Sequence, residues 1–177
     1  MERFIRIQYQ GGNDGGGSIC SIAKGVSATL NCLAKIVGSK SRLVPAKIET
    51  AYNEVDAAVA KPVSGVIDNK IIDIGVITGT KEAEIGMAVR KSGRTTATTN
   101  GTIQVLDSNV DVSYGGSRVA TYEHQLVAGD MSDPGDSGSL VVDGSQPLAV
   151  GLLFAGSDTS TILSPIARVL ELLNIEF

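Results

Sequence analysis

The chain has 177 residues, a formal net charge of -4, 21 glycines, 4% aromatic residues and no tryptophan. That length buries one good core, and the glycine content favours a turn-rich β protein over a helical bundle. A pI near 5.0 without a basic cluster argues against nucleic acid as a partner. The apolar runs are too short for a membrane span, so no membrane partner is expected, and the first twenty residues lack a signal-peptide core.

Ile5, Ile7 and Tyr9 alternate with Arg6 and Gln8, the period of a strand. The Gly-rich stretch at 11 to 17 lacks the strand-and-helix setting of a nucleotide-binding loop. Cys20 and Cys32 are not spaced as metal ligands; a disulfide and two free thiols both remain open. No metal or other cofactor is indicated, and the cysteines assign no compartment. Residues 26 to 36 read as a long strand, with a helix as the competing assignment. Pro45 and Pro62 bracket Val55-Asp56-Ala57-Ala58-Val59-Ala60, and a boundary falls between Pro62 and Thr80. Asn100-Gly101 and Gly115-Gly116 mark hairpins, and Val119 to Val127, which carries His124, reads as a strand. Ser164 as N-cap and Pro165 in the first helical position predict a helix near 165 to 173.

The chemistry concentrates at Gly135-Asp136-Ser137-Gly138. A serine hydroxyl is a poor nucleophile until a base takes its proton and donors stabilise the oxyanion that forms. Glycines on both sides let the backbone turn tightly enough for successive N–H groups to face one point. The apolar run Leu140-Val141-Val142 then reads as a buried strand that pins the turn, with Asp143-Gly144 as the next turn signal.

Four segments in order resemble the chymotrypsin-like serine proteases, the bacterial α-lytic branch in particular. VRKSGRTTATTNGTI at 89 to 103 is similar to the segment that opens the second barrel of that family. Val55 to Ala60 resembles the segment whose aspartate orients the catalytic histidine. VGLLFAG at 150 to 156 resembles the strand lining the specificity pocket, and Ser164-Pro165 with IARVLELLNIEF resembles the closing helix. The resemblance implies an all-β, chymotrypsin-like fold: one complete six-stranded C-terminal barrel, a partial N-terminal barrel and a short C-terminal helix. Residues 1 to 70 would be the first-barrel remnant carrying the aspartate, and 71 to 177 the second barrel carrying the nucleophile. It implies Ser137 as nucleophile, Asp56 as orienting carboxylate and the amides of Gly135 and Ser137 as oxyanion hole. Asp136 would be buried and need a cation: Lys91 first, Arg94 second.

Several positions depart from the family. Arg90 and Asn100 stand where the α-lytic type has a disulfide, and Phe154 stands where many relatives keep a serine bonded to the aspartate, so Asp56 needs another donor. Met131, at the expected pocket floor with Phe154, Ala155 and Gly156 on the wall, implies a small or apolar pocket. The base is the largest departure. The family places its histidine well before the aspartate, yet the only histidine here is His124, and RFIRIQYQGGNDGG resembles the strand and Gly-rich loop that come after the catalytic histidine in bacterial homologues. The chain therefore reads as truncated before or at that residue. A structural role for His124 is expected, and a lysine base at Lys61 or Lys91 is the remaining internal substitute. The implied activity is a serine endopeptidase acting on protein or peptide through an acyl-enzyme, inactive as this chain. The alternative is a non-catalytic module that binds a peptide or protein partner, or pairs with itself through exposed strand edges.

Overall fold

The computed structural model describes residues 3–4, 52–63, 65, 67–116 and 118–177. The readings made for the strand at 5 to 9, the loop at 11 to 17, Cys20, Cys32 and the 26 to 36 segment lie outside the described residues. Among the described residues, ten strands and one helix occur in chain order: β1 Arg3–Phe4, β2 Tyr52–Asn53, β3 Ala58–Val59, β4 Gly79–Thr80, β5 Ala88–Gly93, β6 Ala97–Ser113, β7 Val119–Gly129, β8 Leu140–Asp143, β9 Leu148–Ser157, β10 Ser160–Pro165 and α1 Ile166–Leu173.

Strands β5 to β10 form a closed antiparallel ring in the order β10-β7-β6-β5-β8-β9, with β9 pairing back onto β10. This is the six-stranded C-terminal barrel that the resemblance implies. Closure leaves no free edge within the ring. Its interior is filled by Val89, Ile103, Leu126, Ala128, Val141, Val150, Leu153 and Leu163 of the strands and by Met131 just past β7. β4 adds to β9 in parallel, and β1 pairs with β3 in a separate two-stranded sheet.

A second apolar cluster outside the ring places the aspartate segment. Ile166, Val169 and Leu173 recur along one face of α1 and bury it against Ala149 of β9 and Val55. Val55 is fully buried there. On one side of it Asn53 Nδ2 donates to the Thr121 carbonyl at 3.0 Å, while β2 runs parallel to β7. Gln125 Nε2 donates to the Glu54 carbonyl at 2.8 Å, and its Oε1 accepts from Ser164 Oγ at 3.0 Å. Asp56, next in the chain, is thus fixed to the barrel by its neighbours.

Two turn readings are corrected. Asn100-Gly101 lies within β6 and pairs with Arg90 and Val89; the β5–β6 connection is Arg94 to Thr96. Gly101 serves close packing instead, since a Cβ there would lie 2.6 Å from the Met131 sulfur. Ser164 does not cap the helix. It is fully buried in β10, the cap position falls to Pro165, and no side chain caps α1. Gly115 and Gly116 do sit in the β6–β7 turn, both at positive φ.

The β8–β9 turn is organised by Asp143. Lys81 Nζ lies 2.6 Å from its Oδ2, while Oδ1 accepts from Ser145 N and Oγ, both at 2.8 Å, and from Gln146 N at 3.0 Å. These bonds, led by Lys81, hold the Asp143 carboxyl well below the usual carboxylate range.

Candidate active site

Ser137 sits in a turn that comes after β7 and leads into β8. Gly135 (φ 106) and Gly138 (φ 88) take conformations that side chains disfavour. Gly138 N donates to the Leu153 carbonyl at 2.7 Å, and Leu153 N to the Ser139 carbonyl at 3.0 Å, which ties the turn to β9. The Ser137 hydroxyl is exposed and donates to the Phe154 carbonyl at 3.3 Å.

Two peptide planes in the turn are held by their oxygens. Thr95 Oγ1 donates to the Pro134 carbonyl at 3.1 Å, and Ser139 N and Oγ donate to the Asp136 carbonyl at 3.0 and 2.6 Å. In a trans peptide the N–H points opposite the C=O. The Gly135 N–H is therefore turned away from Thr95 and the Ser137 N–H away from Ser139. Neither amide meets an acceptor among the described residues.

Asp136 points the other way, into the barrel end, where Lys91 Nζ lies 3.0 Å from Oδ2 with both side chains fully buried. Lys91 shares the inward face of β5 with Val89, so strand parity delivers its ammonium to the interior. Thr95 N (2.7 Å) and Thr96 N (3.2 Å) donate to Oδ1, and Thr96 Oγ1 (2.6 Å) and Asp133 N (3.2 Å) to Oδ2. Lys91 also contacts Thr96 Oγ1 and the Ala97 carbonyl. Burial by itself would raise the Asp136 carboxyl, but the bonds from Thr96, Lys91, Thr95 and Asp133 together hold it well below the usual range. Gly93 gives this cluster its room: a Cβ there would lie 2.4 Å from Asp136 Oδ1 and 3.0 Å from Lys91 Nζ.

Both depressed carboxyls make stability depend on pH. Their protonation is favoured in the unfolded chain, so the contribution is complete above the ordinary carboxylate range and is lost as pH falls through and below about 4. We expect the urea midpoint to be flat from about pH 7 to 5 and to drop below about 4, with a shallower drop in Asp143→Asn. A midpoint that rises on acidification would contradict this assignment.

Asp56 is half-buried and accepts a hydrogen bond from Tyr114 Oη at 2.5 Å; Tyr114 Oη lies 2.5 Å from Tyr122 Oη. Burial first, then the Asp56 and Tyr122 bonds, push the Tyr114 hydroxyl far above its ordinary value, so it stays a proton donor. The buried Tyr122 ring packs on Phe154 with centroids 4.8 Å apart. A continuous run of contacts thus joins Asp56 through Tyr114, Tyr122 and Phe154 to Ser137, with Tyr114 as the donor to Asp56. Sequence reading missed it. Its one local signal is position: a tyrosine at the end of β6, directly before Gly115-Gly116.

The residues expected at the pocket separate. Ala155 and Gly156 line a hollow of about 340 Å³ with Ser137. Met131 lies in the barrel core, 4% exposed, and Phe154 turns its ring to Tyr122. Asp130, Asp133 and Asp158 line the hollow instead, setting three carboxylates beside apolar Pro134, Leu153 and Ala155. His124 is on β7 but not at this site. It contacts Asp107 through Nδ1, 69% exposed, where both residues adopt positive φ and the β6–β7 register shifts. The Asp107 bond raises its pKa, and it lines a different hollow, with Thr80, Lys81 and Leu126. Lys91 is committed to Asp136.

Solved structures similar to this chain are bacterial chymotrypsin-like serine proteases. A glutamic-acid-specific serine protease matches with a TM-score of 0.54 at 23% identity, covering 68% of this chain and 66% of its own. The fold is chymotrypsin-like. Cellulomonas bogoriensis chymotrypsin matches at 31% identity with a TM-score of 0.47, over 55% of this chain and 52% of that one. Thermobifida fusca protease A matches at 29% and 0.49, over 58% and 55%. The chain thus spans about half the length of those two proteases. No family model matches it.

Proposed function

We propose that the chain is the nucleophile-bearing part of a chymotrypsin-like serine endopeptidase, with residues up to about 70 contributing to the first barrel and 71 to 177 forming the second. The supporting observation is the turn itself: Ser137 exposed beside two amides turned away from Thr95 and Ser139, on a loop held by the buried Lys91–Asp136 pair. In this reading Ser137 Oγ attacks a peptide carbonyl and the Gly135 and Ser137 amides receive the oxyanion. The amine leaves to give an acyl-enzyme, which water then hydrolyses. Asp56, held by Tyr114, orients an imidazole that takes the Ser137 proton and returns it to the amine. Because His124 is tied to Asp107 in another hollow, that imidazole comes from outside residues 1 to 177.

The second reading, a module that binds peptides without cleaving them, draws on the same position of His124. The two separate in an assay of protein-substrate hydrolysis by a polypeptide joining residues 1 to 177 to a histidine-bearing first-barrel strand. Hydrolysis abolished by Ser137→Ala supports the endopeptidase; a folded joined polypeptide without Ser137-dependent hydrolysis supports the binding module.

A further inference from the structure

Ser137 lines two hollows of about 340 Å³ each, and their charges are opposite. One carries Ala155, Gly156 and the carboxylates of Asp130, Asp133 and Asp158, with no basic side chain. The other carries Ser92, Arg94, Gly135, Ser139 and Leu140, with no carboxylate. For a peptide lying across Ser137 with its acyl portion toward Ala155 and Gly156, the second hollow, which Ser137 also lines, is the place for its leaving portion. The charge it meets there is Arg94.

Arg94 is positioned rather than simply exposed. It stands in the tight β5–β6 turn with its guanidinium against Gly135, where a Cβ would lie 2.4 Å from Nη2. Gly135 therefore serves twice, through its φ of 106 and by leaving room for that guanidinium. Arg94 pairs with no carboxylate among the described residues, and the nearby Asp136 already accepts from Lys91, Thr95, Thr96 and Asp133. A guanidinium offers several donors in a planar fork that matches a carboxylate. We propose that Arg94 binds a carboxylate on the leaving-group side of a peptide at Ser137, from an acidic side chain or from the peptide's own C-terminus. This rests on the protease reading above and names the chemistry of its leaving-side subsite.

The test uses the 177-residue chain carrying Ser137→Ala, which prevents turnover, ¹⁵N-labelled, with fluorescent peptides of one sequence. One pair carries Glu or Gln just after the intended scissile bond; the other ends there as a free acid or an amide. Binding is read by anisotropy and located by the amide signals of Gly135 and position 137. We expect the Glu peptide, the free acid or both to bind about fivefold tighter than the neutral partner, less so at high salt. Arg94→Gln, a surface change, should erase that preference without altering the rest of the amide spectrum. Which pair responds identifies the source of the carboxylate. Equal affinities within both pairs, with the Gly135 and position-137 amides shifting, would overturn the Arg94 subsite and leave the protease reading standing. So would a preference that survives Arg94→Gln. Peptides that move neither amide would overturn both.

Discussion

Lys91→Ala is expected to destabilise the protein by about 3–5 kcal/mol, because it leaves the Asp136 carboxylate buried without its cation. Both side chains are fully buried, so water cannot replace the ammonium without opening the barrel end. For a chain of this size that corresponds to a fall in Tm of roughly 10 °C or more. The loss should reach Ser137, since Asp136 is its chain neighbour and the Asp136 carbonyl sets the direction of the Ser137 amide. Pairing Lys91→Met with Asp136→Asn removes both charges and should recover part of the stability, though not the turn. Thermal melts of the single and double variants check this, with Arg94→Ala as reference: that residue is on the surface, and its loss should cost within about 0.5 kcal/mol. A Lys91→Ala protein as stable as the parent would mean that the pair does not hold the turn.

How much of this was legible in the chain depended on whether the cause was local. The turn at Ser137 could be read because its geometry needs glycine at two positions of positive φ, and those glycines flank Asp136-Ser137 in the sequence. The barrel could be read because strand period and turn residues recur along the chain. Choosing between Lys91 and Arg94 as the partner of Asp136 required the register of β5, which places Lys91 inward with Val89 and leaves Arg94 past the strand end. Asn100-Gly101 misled because glycine serves close packing as well as turns; here it accommodates the Met131 sulfur. Ser164 misled because a buried partner, Gln125, outweighed a capping role that only the adjacent helix suggested. Tyr114 and the carboxylate-lined hollow near Ser137 were not legible at all. Tyr114 and Asp56 are 58 positions apart, and no local pattern encodes such a meeting; Asp130 and Asp133 are near Ser137 in sequence, but only the fold turns them and Asp158 to one hollow.

The second large effect concerns the reactivity of Ser137. Among the described residues the Ser137 hydroxyl bonds only the Phe154 carbonyl and no base, so under the proposed function phosphonylation by a fluorophosphonate should be slower than in a serine protease with its histidine by a factor on the order of 10⁴. Free imidazole can then serve as the base. At roughly molar concentration it should raise the rate by about tenfold or more, a fraction of what a positioned base contributes. The increase should grow as pH rises through about 6.5 to 7.5, as imidazole becomes neutral. It should shrink in Asp56→Asn, which removes the carboxylate proposed to orient the imidazole, and in Tyr114→Phe, which removes the hydrogen bond to that carboxylate. His124→Ala should leave the rate unchanged, because His124 is engaged with Asp107.

The most direct measurement is therefore the rate at which Ser137 is phosphonylated, monitored by intact mass and located by peptide mapping, with and without imidazole. The account predicts slow labelling at Ser137 alone, accelerated by imidazole and absent in Ser137→Ala. Fast labelling without imidazole, or a rate that falls in His124→Ala, would show an internal base and contradict it.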